Sequence, residues 1–179
     1  MEERSISLST IIICGVIALL SAIGTVVLVL CSDLEVLYKG GAIFDLVALF
    51  FAFFYLAKGY GKAQAKYYKI SMLFNALNAL FVTAVAANEK TKHVSIIMCA
   101  ICFGLILLLA LGENLGMKKS LIICLIVVFI RASGLISQYI ITKNFDPVCV
   151  LVVSQLVLAL MILACTLAKY EDKQARGTK

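Results

Sequence analysis

His93 is the only histidine and Pro147 the only proline in the 179 residues. One histidine is too few for a histidine metal site or a zinc-protease motif. The lone proline follows Asp146 at the head of an apolar stretch, where proline suits the first turn of a helix. Charge is sparse at 15% of residues, and no block of like charge forms, so the net charge of +6 does not point to a nucleic-acid-binding arm. A secretory signal is not expected either. Glu2 and Glu3 outweigh Arg4 before the first apolar stretch, which runs to about Cys31. A signal has a basic start, an apolar core of roughly 7–15 residues and a small-residue cleavage site. None of these is present, and Leu30 before Cys31 spoils a lipoprotein-type site. The segment is expected to be a retained first helix. An odd count of seven cysteines, with no extracellular domain, argues against a disulfide scaffold. Free cysteines in apolar runs act as small hydrophobes.

What is abundant is apolar length. The chain is 63% hydrophobic, with a mean hydropathy of +1.07. Soluble domains are roughly half apolar. The surplus sits in six runs, about 10–31, 41–57, 70–88, 94–112, 120–141 and 148–168. A helix needs about 20 residues to cross a bilayer. The expectation is an all-α, polytopic membrane protein with six transmembrane helices in one antiparallel bundle over residues 1–168. Residues 169–179 would follow as a charged cytoplasmic tail without fixed structure. Gly40 and Gly41 are expected to break the chain before the second helix.

Lysine and arginine set the orientation. With six spans, Arg4, Lys58, Lys62, Lys66, Lys69, Lys118, Lys119, Lys169, Lys173, Arg176 and Lys179 fall on one side, and only Lys39, Lys90, Lys92 and Lys143 on the other. Both termini are therefore expected to be cytoplasmic. Lys58, Lys62, Lys66 and Lys69 recur every three or four residues among Tyr60, Tyr67 and Tyr68. They form a headgroup anchor for the lipid bilayer, or else a docking surface for a cytoplasmic partner.

The sixteenth basic residue, Arg131, lies near the middle of the fifth run. Insertion scales put its cost there at about 2.5–3.5 kcal/mol, so it must face a polar interior. Asp45 is the one carboxylate well inside a run, about 6 Å outward of the middle on a rise of 1.5 Å per residue. An ion pair between Arg131 and Asp45 is expected. Asn75 and Asn78 share a face of the third helix with Ser71. Gln138 follows Arg131 by seven residues on the same face, and Gln155 with Ser154 comes from the sixth helix. Arg131, Asp45, Asn75, Asn78, Gln138 and Gln155 form the expected solute-binding set, with polar helix–helix glue as the alternative. Cys14, Ala18 and Ala22 make a small-residue stripe on the first helix. It lets another helix approach closely, as in a membrane partner subunit or a homo-oligomer.

Six helices, both termini inside, and Ala18 and Ala22 at four-residue spacing resemble the substrate-binding subunits of energy-coupling vitamin importers. Those subunits use small residues on the first helix to meet a shared membrane partner. The resemblance implies a transport role. It carries no ligand residue across, and the outer loops here are too short for the loop-built substrate lid of that group.

The resulting expectation is a non-enzymatic membrane protein without a cofactor. It would bind or transport a small solute, in a bacterial plasma membrane. A structural or regulatory subunit is the alternative. A thiol oxidoreductase ranks lower. Its pair would be Cys99 and Cys102, but no basic residue stands close enough to lower a thiol pKa. A cysteine protease pairing His93 with Cys99 ranks lower still, because the glycines expected near such a histidine are missing.

Overall fold

The apolar runs are helical in the computed structural model of the chain, which describes residues 8–31, 36–58, 65–88, 93–112, 115–142 and 147–177. The helices are α1 (Leu8–Cys31), α2 (Val36–Lys58), α3 (Ala65–Asn88), α4 (His93–Leu111), α5 (Met117–Thr142) and α6 (Pro147–Gly177). No strand occurs among the described residues. In hydrocarbon, a helix is the one open segment that satisfies its own backbone.

Four helices are long and apolar enough to cross a membrane, over Ile11–Cys31, Lys39–Ala57, Met117–Ile136 and Cys149–Lys169. They support a multi-pass membrane protein. The other two expected spans fall short of that mark among the described residues. The apolar run of α4 covers only Ile96–Leu111. α3 spends its inward face on Ser71, Asn75 and Asn78 and begins with Lys66 and Lys69, which lowers its hydropathy.

Packing follows chain order and then closes. α2 lies along α3, α3 along α4, α4 along α5 and α5 along α6, and α6 returns to α2. α1 stays outside this ring, touching only α2 and α6 among the described residues. Its outer face shows why lipid is its fitting solvent: Leu19, Leu20 and Leu30 are 61%, 65% and 77% exposed. The largest buried cluster joins Ala48 and Ala52 of α2 with Met72 of α3, Leu158 and Met161 of α6 and Ala18 of α1. An aromatic row stitches α2 to α3, with ring centroids 5.1 Å apart for Phe44 and Phe81 and 4.8 Å for Phe54 and Tyr67.

Two expectations about boundaries are corrected. Gly40 and Gly41 do not break the chain, because α2 runs straight through them. They serve close approach instead: a Cβ on Gly40 would stand 3.1 Å from Cε1 of Phe81. The charged segment after residue 168 is not without fixed structure. α6 continues to Gly177, since Glu171, Lys173, Gln174, Ala175 and Arg176 are all good helix formers.

Candidate functional site

α3 is tied to α2 by side chains that donate to backbone. Ser71 Oγ donates to the Ala48 carbonyl at 2.8 Å, and Asn78 Nδ2 to the Gly41 carbonyl at 2.8 Å. The donors lie seven residues apart and so do the acceptors, in reverse order. The two helices therefore run in opposite directions. Seven residues are about two turns, so each helix offers one face to the other.

α6 carries the centre of the site. Ser154 Oγ donates to Asp45 Oδ2 of α2, and Arg131 Nη1 of α5 donates to Gln155 Oε1. Ser154 and Gln155 are neighbours in sequence, about 100° apart around α6, so one turns toward α2 and the other toward α5. Asp45, Asn78 and Ser154 are each 1% exposed, Arg131 6% and Gln155 7%. Asn75 is buried beside them on α3. Among the described residues Asp45 and Arg131 form no direct ion pair, contrary to the sequence-based expectation. The reason is the order of packing: among the described residues α2 and α5 are not neighbours, and each packs on α6. Each charge is capped by a neutral α6 side chain.

The capping is incomplete. Asp45 Oδ1, Asn78 Oδ1 and Arg131 Nη2 are buried without a hydrogen-bond partner, and the only other such atom among the described residues is Ser21 Oγ. A buried polar atom left unpaired costs about 1–3 kcal/mol, and more where the group is charged. Two free acceptors and one free donor thus converge on a layer shared by α2, α3, α5 and α6.

A second polar layer crosses the same four helices nearer Lys169. Thr166 Oγ1 donates to the Ile162 carbonyl at 2.8 Å, so its lone pairs receive Tyr68 OH of α3 at 2.9 Å and Cys124 Sγ of α5 at 3.4 Å. Cys165 Sγ donates to the Ala52 carbonyl of α2 at 3.5 Å. This layer was not expected from the sequence. The signal for it is spacing: Tyr68, Cys124 and Ala52 stand seven residues from Asn75, Arg131 and Asp45, and Thr166 stands eleven from Gln155. Seven and eleven residues are two and three turns, which repeat a face.

The other expected residues are placed as follows. Gln138 belongs to α5, but its side chain lies outside the described residues, as do Lys62 and the side chain of Lys58. Lys66 and Lys69 are exposed at the start of α3, with Lys66 Nζ 5.2 Å from the centroid of the Tyr67 ring. Lys169 Nζ stands 4.8 Å from the Tyr68 centroid, so cations from α3 and α6 gather at one end. The small-residue stripe of α1 faces the chain's own α2 and α6: Ala18 is buried in the main cluster, Cys14 packs against it and Ala22 is half-buried. A groove of about 270 Å³ lies between α1 and α6 rather than at Arg131, lined by Ile17, Leu20, Gly24, Val150, Val157 and Ser21. All seven cysteines are free, and Cys102 is buried against Ala76, Ala79 and Ile106. Among the described residues no group of three His, Cys, Asp or Glu side chains is placed to hold a metal.

Set against protein-family models, curated proteins and solved structures, the chain matches none.

Proposed function

We propose that this chain is a non-enzymatic, multi-pass protein of the bacterial plasma membrane that binds or transports a small solute at the layer of Asp45, Asn75, Asn78, Arg131 and Gln155. It acts alone or as the membrane subunit of a larger transporter. All six helices span the bilayer in alternating directions, with both termini cytoplasmic, following the bias of lysine and arginine. α3 crosses with its polar face of Ser71, Asn75 and Asn78 turned into the protein's own packing, where a less apolar helix is tolerated, and α4 crosses as a short, strongly apolar run over Ile96–Leu111. The observation that carries the reading is the three unpartnered polar atoms, two of them on charged side chains. Groups that only held helices together would be satisfied by one another, as those around Thr166 are.

Single cysteines placed at Lys66, Lys90 and Asn75 in a cysteine-free background test the proposal with a membrane-impermeant maleimide. Lys90Cys should react from outside the cell, Lys66Cys only from the cytoplasmic side of inverted vesicles, and Asn75Cys from at least one face. Labelling of Lys66Cys from outside would invert the topology. An Asn75Cys thiol that reacts from neither face would remove an accessible solute site.

A further inference from the structure

The solute site, if Asp45, Asn78 and Arg131 form one, also carries information about the charge of what enters it. Resting on that reading, we propose that the ligand is a small zwitterion. Its ammonium end lies against Asp45 Oδ1 and Asn78 Oδ1, and its carboxylate end against Arg131 Nη2.

The placement of the three atoms follows from the bonds around them. Asn78 is held by the Gly41 carbonyl, one turn of α2 from Asp45. Its free oxygen and the free oxygen of Asp45 thus belong to the same α2–α3 side of the layer. Arg131 is held from α5 by Gln155, the residue after the Ser154 that holds Asp45. The free donor therefore belongs to the α5–α6 side of the same layer, about 100° around α6 from the bond that holds Asp45. One side offers two acceptors and a negative charge, and the other a donor and a positive charge. Among the described residues the two charged groups do not neutralise each other by contact, because α2 and α5 share α6 as a neighbour without being neighbours themselves.

Electrostatics then selects the guest. At low dielectric, charges a few ångströms apart interact far more strongly than in water. A lone cation drawn to Asp45 meets Arg131, and a lone anion drawn to Arg131 meets Asp45, so each loses much of what it gains. A molecule of zero net charge with a cationic and an anionic end gains at both ends and leaves the site neutral. An ammonium has three N–H donors, enough to fill both free acceptors, and a carboxylate oxygen accepts from Arg131. Both free acceptors and the free donor are then used.

The test is thermal unfolding of the purified full-length protein in detergent, with glycine, methylammonium chloride or sodium acetate titrated at constant ionic strength. A ligand that binds only the folded state raises Tm. Wild type should respond to glycine and to neither half-molecule. The preference should invert predictably in near-isosteric variants. Asp45→Asn leaves a positive site that responds to acetate, and Arg131→Gln leaves a negative site that responds to methylammonium. Should either variant fail to fold, Asn78→Leu removes the uncharged acceptor and should weaken the glycine response by about tenfold or more. A wild-type response to methylammonium or to acetate alone would overturn the zwitterion while leaving a solute site standing. No response to any probe in folded wild type and variants would mean a resident water only, and would overturn the solute site as well.

Discussion

Two polar layers cross the same four helices, and they are built on opposite principles. Around Thr166 the groups are neutral: a phenol, a hydroxyl, two thiols and backbone carbonyls. No atom of the described members is left buried and unpaired. Around Ser154 and Gln155 the layer holds a carboxylate and a guanidinium, and three of its atoms have no partner. The layers lie two to three turns apart on each helix, about 10–17 Å. Burial does not distinguish them, since Thr166 and Asp45 are 0% and 1% exposed. The difference is in satisfaction. A layer that closes on itself fixes helix register, whereas a layer that leaves donors and acceptors open has capacity for something else.

The sharpest way to break this contrast is to remove one charge. Asp45→Asn or Arg131→Leu alone should destabilise the protein by about 3–5 kcal/mol, because the other charge stays buried. The double variant should regain much of that. Denaturant unfolding of all four proteins in detergent gives the coupling directly, and a solute-binding assay on the same samples should show no matching recovery. Simple additivity of the two losses would mean that the charges do not sense each other across α6.

A smaller effect is expected in the closed layer. Tyr68→Phe deletes one neutral hydrogen bond and leaves Thr166 bonded to Ile162, so it should cost about 0.5–1.5 kcal/mol. Solute binding should be unchanged. A loss of binding with folding intact would join the two layers into one functional unit.

The smallest effect is expected outside both layers. The double variant Cys99→Ala, Cys102→Ala should assemble and work as wild type does, with at most about 1–2 kcal/mol lost at Cys102 from the emptied volume. Mass spectrometry of the native protein should find both thiols free. A disulfide together with lost activity would replace the solute site with thiol chemistry.

Much of this was legible in the residues. Helix positions follow from apolar runs, since little else in a chain this hydrophobic can end a helix but charge, glycine or proline. Arg131, Asp45, Asn78 and Gln155 stand out because polar groups in such runs are costly and therefore few. The order of packing was not legible. Matching Asp45 to Arg131 by depth and charge is sound as far as it goes, but depth says nothing about which helix lies between two others. The glycines misled for a related reason. In water Gly40-Gly41 reads as a break, yet within a continuous α2 the missing side chains admit Phe81 and expose a carbonyl to Asn78. Tyr68 stands in the stretch expected to be a surface belt, and nothing in the last apolar run singles out Thr166. Only their seven- and eleven-residue offsets from the charged layer relate them to it.

The position of Ser154 and Gln155 on the last helix bears on how the protein is made. A ribosome synthesises Asp45 and Arg131 before either residue that caps them. Until α6 arrives, an aspartate on α2 and an arginine on α5 lack the side chains that receive them, and among the described residues α2 has no packing contact with α5 to compensate. The arrival of α6 supplies both caps from adjacent residues in a single event. It also closes the ring from α5 back to α2, so the final helix is the clasp of the assembly.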